Sequence, residues 1–314
     1  MGKAERNRLQ NAREKIAAQQ AAAKRAETRR RALIAGGSVL AVLVIVVVLV
    51  IVKTSGGGSA GKSSSGSTAA TASANTPVAT SVSQKIASVP AATLDKVGAG
   101  VAYPAAGGIY PNAIQTVKSP PAILKSNGKA QVVYVGADYC PYCAAERWAL
   151  TVALSRFGTF SNLSLIHSSS TDVYPNTPTL SFYKSSYTSK YVVFNTTEAQ
   201  TVTHATLQPL TALDKTLMAT YDAPPYVPSG YNGSFPFVDF GNQYVIDGAS
   251  YNPQTLAKLT WQQVAADLSN PNSTVAKAID GTANHITAAI CKITGGQPGN
   301  VCTSPGVTAA AGSI

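Results

Sequence analysis

Between Ala32 and Val52 runs ALIAGGSVLAVLVIVVVLVIV, 21 residues without a charge. No feature constrains the chain more. At about 1.5 Å rise per residue, a helix of this length crosses the roughly 30 Å hydrocarbon core of a bilayer. A cleaved signal peptide would have a shorter basic head, an apolar run of about 7–15 residues and a small-residue cleavage site. Here both head and run are long, so the segment is expected to stay as a transmembrane signal anchor. Residues 1–31 carry ten Lys or Arg against three Glu and no aromatic residue. Arg29, Arg30 and Arg31 abut the apolar run, whereas only Lys53 follows it closely. The positive-inside bias then puts the N-terminus in the cytoplasm and everything after Lys53 outside. The expected product is a single-pass cell-membrane protein with an extracytoplasmic C-terminal domain.

The net charge of +11 suggests nucleic acid at first sight, but the tail alone supplies +7, and the fifteen basic and eleven acidic residues elsewhere leave only +4. The charge therefore records topology, and no nucleic-acid partner is expected; the basic tail suits anionic lipid headgroups. Residues 53–83 are Gly, Ser, Thr and Ala with almost no large apolar side chain. They cannot bury enough surface to offset ordering entropy, which predicts a flexible linker. Residues 84–314 are long enough for one well-buried domain with additions.

Within that domain KAQVVYVGA (129–137) is a β-branched run bounded by SNGK, a buried-strand pattern. PYCAAERWALTVALSRFG follows with apolar positions at helical spacing and Gly158 as a stop. LSLIHSSS reads as a second strand, TLSFYKSSYTSKYVVFNT as an inserted β-hairpin, and HATLQPLTALDKTLMATYD as a helix with Pro209 near its first turn. FPFVDFGNQYVIDGA reads as two strands about Gly241-Asn242, and NPQTLAKLTWQQVAADLSNP as a helix capped by Asn252. A short helix is expected near 83–97 and another before Cys291. The order alternates as in an α/β fold, a mixed sheet flanked by helices.

This arrangement puts Cys140 at the end of the first strand and Cys143 in the first turn of the next helix. Disulfide exchange needs a thiolate in reach of an outside sulfur and a second thiol to resolve the mixed disulfide. At a helix start, unpaired N–H groups and the helix dipole stabilise the anion of the first cysteine. Cys140 is accordingly the expected nucleophile and Cys143 the resolving thiol, joined in the oxidised form, and Pro141 suits the first helical position. A purely structural Cys140–Cys143 disulfide would close too short a loop to stabilise much on the chain-entropy model. Zinc would want four ligands, and His167, His204 and His285 form no short-spaced pair. No metal and no cofactor are expected.

VVYVGADYCPYCAAERWA is similar to the thioredoxin-like superfamily, with strand, C-x-x-C and helix in order and Asp138-Tyr139 where thioredoxins commonly carry an acidic-aromatic pair. With GSFPFVDFGNQYVIDGASYNP the resemblance covers roughly residues 130–270, less the insert. It also extends to a group of membrane-anchored thioredoxin-like proteins known only as a domain of unknown function. The resemblance implies a thiol–disulfide oxidoreductase; protein thiols or disulfides are the expected substrates, and an oxidising compartment behind one cysteine-free apolar helix favours oxidase or isomerase over reductase. The resemblance also implies a cis-proline beside the C-x-x-C, which Pro236 fits, with Phe235 presenting the substrate backbone and Tyr139 and Tyr142 flanking it. Thr177-Pro178 also precedes a strand, but choosing it would leave FPFVDFGNQYVIDGA outside the core. Two positions depart from the family. Thioredoxins bury an Asp six residues before the first cysteine and carry Trp four before it, where this chain has Tyr134 and Gly136. Glu146, one turn below Cys143, is the expected replacement proton acceptor. The alternative activity is a tethered binding or redox-sensor module with a static CPYC.

Cys291 and Cys302 flank a Gly/Pro-rich loop and, outside the membrane, are expected to pair as a structural clip, with a redox relay as the alternative. Asn162, Asn195, Asn232 and Asn272 begin N-x-S/T sequons.

Overall fold

The computed structural model describes residues 71–100 and 114–314, all within the unit Gly66–Ile314. The expected basic tail, the anchor at 32–52 and the linker up to residue 70 lie outside the described residues. Among the described residues, no helix is long and apolar enough to cross a membrane.

The centre of the fold is strand β3 (Lys129–Gly136), buried from Ala130 onward. Successive side chains of a strand point to opposite faces. Val132 and Tyr134 enter a large core with helices α3 (Pro141–Ser155) and α6 (Thr274–Ile293). Val133 and Val135 enter a smaller core with helix α4 (Ala212–Tyr221). Burial on both faces is why the strand reads as an unbroken apolar run. The mixed sheet runs β1 (Gln115–Thr116), β10 (Tyr244–Asp247), β9 (Phe237–Phe240), β3, β2 (Lys125–Ser126), with β8 (Val192–Glu198) also on β3. β8 is parallel to β3, with Gly136 opposite Glu198, and β9 is antiparallel, with Val135 opposite Phe237. The β9–β10 turn uses Gly241 and Asn242 at φ 64° and 61°, the left-handed conformation these residues tolerate.

Three expectations are corrected. The segment read as an inserted hairpin forms three strands that do not pair with one another. β6 (Pro178–Ser181) pairs with β5 (Ser164–His167), β7 (Ser186–Ser189) pairs with β4 (Gly158–Ser161), and β8 joins the central sheet. Their aromatic residues meet instead in one cluster, where Phe182 packs on Phe160, Phe194 and Tyr134. The second correction concerns the linker, which does not reach Ser83. Helix α1 (Pro77–Ala87) starts inside that stretch, with Thr76 capping Ala79 N–H and Pro77 in the first turn, and it buries Ala79, Val82 and Ile86 at helical spacing. Pro90 separates α1 from α2 (Ala91–Val97), because the residue before proline is driven from helical geometry. Finally, the helix expected from Asn252 is a short 3-10 turn (Pro253–Leu256) followed by α5 (Trp261–Asp267), which has its own Thr260/Gln263 capping box.

The chain ends in α6, α7 (Gly299–Cys302) and α8 (Pro305–Ala311). Cys291 at the end of α6 is disulfide-bonded to Cys302, with Cα atoms 5.6 Å apart.

Candidate functional site

Strand β3 hands the chain to α3 through Ala137-Asp138-Tyr139, and Cys140 is the residue that caps the helix. Its sulfur accepts a hydrogen bond from the Cys143 backbone N–H at 3.3 Å, and Pro141 fills the first helical position. Both cysteines are free thiols, Cys140 6% exposed and Cys143 fully buried. The Phe235–Pro236 bond is cis, and the Cys140 thiol donates to the Phe235 carbonyl oxygen at 3.6 Å. Thr177–Pro178, the competing position, is not cis; Pro178 instead starts β6, and its carbonyl accepts from the Trp148 indole. The Pro236 carbonyl in turn accepts from Gly248 N–H at 2.8 Å, which ties the segment before β9 to the end of β10.

Tyr139, Tyr142 and Phe235 pack against Ala137, Cys140 and Cys143. Tyr139 is half-buried, with its ring 3.9 Å from that of His204, and Tyr142 meets Tyr174 edge-on at 5.8 Å. Burial pushes the Tyr139 phenol up to about 12, helped by the neighbouring thiols. Burial also acts to raise the Cys140 thiol, but hydrogen bonds from the Cys143 thiol and N–H, the Arg147 charge and the Tyr142 N–H outweigh it. The net effect is a Cys140 below the usual thiol range. Cys143 goes the other way: burial and the hydrogen bond and charge of Cys140 hold its proton on. The two thiols are thus split, the first favoured as thiolate and the second as thiol.

Glu146 is fully buried and turned to Ser250, whose N–H donates to one carboxyl oxygen at 2.8 Å and whose hydroxyl donates to the other at 3.1 Å. The charges that bear on Cys143 are those of Arg147 and Glu198. These two, missed in the sequence, form a fully buried bidentate pair, with Arg147 Nε to Glu198 Oε1 at 2.8 Å and Nη2 to Oε2 at 2.7 Å. Arg147 Nη2 also donates to the Ala137 carbonyl at 2.7 Å and lies 3.6 Å from Asp138. Burial raises the Glu198 carboxyl, opposed by Arg147. The one sequence signal was Arg147 itself, an arginine one turn past a C-x-x-C on a helix whose other positions are largely apolar; its acidic partner is remote in sequence.

The departures at Tyr134 and Gly136 form one unit. A Cβ at position 136 would collide with the Tyr134 hydroxyl oxygen. The glycine therefore makes the space the tyrosine fills, and the Arg147 guanidinium stands 6.0 Å over that ring.

Residues 115–292, from β1 almost to the end of α6, match the family model described as Domain of unknown function (DUF929). The chain belongs to that family. No curated protein and no solved structure matches it. The DUF929 match contains both thiols, the cis-proline, Arg147 and Glu198, and also Cys291, whereas Cys302 falls beyond it. Among the described residues, no group of three or more His, Cys, Asp or Glu is placed to hold a metal ion. The Cys291–Cys302 bond also withdraws both sulfurs from a four-cysteine zinc arrangement.

Proposed function

We propose that the chain is a membrane-anchored, extracytoplasmic thiol–disulfide oxidoreductase that acts on protein thiols through a thioredoxin-like domain, oxidase or isomerase rather than reductase. The observation that carries this reading is the meeting at Cys140 of a helix N-terminus, a resolving thiol one turn deeper and the Phe235 carbonyl before a cis-proline.

In the reducing direction the Cys140 thiolate attacks one sulfur of a substrate disulfide. A Cys140–substrate S–S bond forms, the substrate S–S bond breaks, and the departing thiolate takes up a proton. Cys143 then loses its proton and attacks Cys140 Sγ. The mixed disulfide breaks, the second substrate thiol leaves, and two electrons have passed to the substrate. Oxidation of a substrate dithiol runs through the same steps in reverse. Either direction needs a place for the Cys143 proton. Glu198, paired with Arg147, is the proposed acceptor rather than Glu146, because its charge bears on Cys143 and that of Glu146 does not.

The test is Cys143→Ser in the full-length chain in membranes. Expected are reductant-sensitive adducts with other proteins through Cys140, absent when Cys140 is also Ser. If none form, and the purified chain neither oxidises nor reduces a model protein, the reading is wrong. Labelling Cys291 and Cys302 with a membrane-impermeant thiol reagent after reduction tests the orientation.

A further inference from the structure

Carboxyl groups are ordinarily surface groups. Of the eleven Asp and Glu in residues 84–314, eight are buried and Asp95, Asp172 and Asp267 are partly buried, so none stands freely in solvent. Lysines such as Lys85, Lys118, Lys215 and Lys277 do stand in solvent, among exposed Ser, Thr, Asn and Gln.

The buried acids are also mostly without cations. Among the described residues, ion pairs within 4.0 Å join Arg147 to Asp138 and to Glu198 and nothing else. Six buried carboxyls lie outside that network; Asp214 accepts from the Thr197 hydroxyl and the Thr211 N–H in the cap of α4, and five remain. Glu146 on α3 faces Ser250 and Tyr251. Asp280 on α6 faces Tyr251, and neither of its oxygens has a partner. Asp222, at the end of α4, faces Asp247, at the end of β10. Both Asp222 side-chain oxygens and one of Asp247 lack a partner within hydrogen-bond distance; Gly233 N–H donates to the Asp222 backbone carbonyl at 3.3 Å, and Gln115 donates to the other Asp247 oxygen at 3.3 Å. Asp239 on β9 faces Tyr221 and accepts from Asn242 N–H. No lysine, arginine or histidine faces any of the five in these contacts.

A carboxyl out of water and without a cation favours its neutral form, which can also donate a hydrogen bond. We infer that the C-terminal domain is built to stand in an acidic medium, where its buried carboxyls without cations are protonated and its surface charge changes little. An ordinary surface would swing strongly positive there as its carboxylates neutralise; this one has only the partly exposed Asp95, Asp172 and Asp267 to lose. Burial places Glu146, Asp239 and Asp247 at about 7 and Asp222 and Asp280 at about 8. Folded values above the unfolded ones mean that stability is complete below the usual carboxylate range and is lost as pH rises through about 7 to 8. The lowered Cys140 thiol fits the same medium, since an ordinary thiol would hold almost no thiolate in acid.

The full-length chain in detergent is unfolded with urea at a series of pH values and followed by circular dichroism. Expected is greatest stability near about pH 4, with the unfolded-to-folded ratio at least roughly a hundredfold higher by about pH 9. Asp280→Asn, a neutral isostere, should stabilise the chain at the high end and leave the low end unchanged. A flat profile, or one that rises with pH, overturns the inference. Should Asp280→Asn not fold, infrared spectroscopy of the unmodified chain decides: a protonated-carboxyl C=O band persisting to about pH 6 supports the inference, and its loss by about pH 5 overturns it.

Discussion

Replacing Glu146 by Gln isolates one buried acid. The side chain is fully buried, and its folded-state value is about 7 against an ordinary 4.5, burial being the main cause and the Ser250 hydrogen bonds opposing it. At 1.36 kcal/mol per unit, ionising it inside the fold costs about 3 kcal/mol relative to the unfolded chain. Because the folded value is raised, this loss is absent below about pH 4 and complete above about pH 8. Gln copies the protonated acid: its carbonyl can accept from Ser250 N–H while its NH2 donates to the Ser250 hydroxyl. Urea unfolding of the full chain should therefore show the variant within about 0.5 kcal/mol of the unmodified chain near pH 4, and up to about 3 kcal/mol more stable near pH 8. Parallel profiles, offset by a constant amount, would refute the reasoning, since they would mean that Glu146 does not change its charge over this range.

Three further outcomes follow from the site. Alkylation of the reduced chain, followed by mass spectrometry, should modify Cys140 first and at a pH below the ordinary thiol range, leaving Cys143 protected. Either Arg147→Met or Glu198→Gln should destabilise the domain by about 3–5 kcal/mol by stranding a buried partner, while the Arg147→Met/Glu198→Leu double variant should recover much of the loss in the same urea assay. Gly136→Ala should cost about 1–3 kcal/mol through the Tyr134 hydroxyl, and adding Tyr134→Val should return part of it.

What could be read from the sequence was local. β3 is a continuous apolar run because both its faces are covered, and the CPYC turn carries its own cap and proline, so strand, thiols and helix were legible within a residue or two. Phe235–Pro236 was legible through the hairpin after it. Pairing partners were not. Nothing near VVFNTTE tells that it lies parallel to β3 rather than folding back on SYTS, because both arrangements satisfy the same alternation. Glu198 was missed for that reason, and Glu146 was named because helical spacing gives proximity without direction. Helix α1 was hidden by composition: Ala79, Val82 and Ile86 bury a face too sparse to stand out among Ser and Thr.

Glu198 stands opposite Gly136 at the end of the parallel pair, and Phe235 arrives from beyond α4. The carboxylate that answers Arg147 beneath the thiols is therefore in place only when β8 has docked on β3 in the right register; a slip of one residue would turn Glu198 to the other face of the sheet. The Arg147–Glu198 pair is thus a report on assembly. Until β8 docks, Arg147 stands on α3 without its carboxylate, and burying it alone would strand a charge.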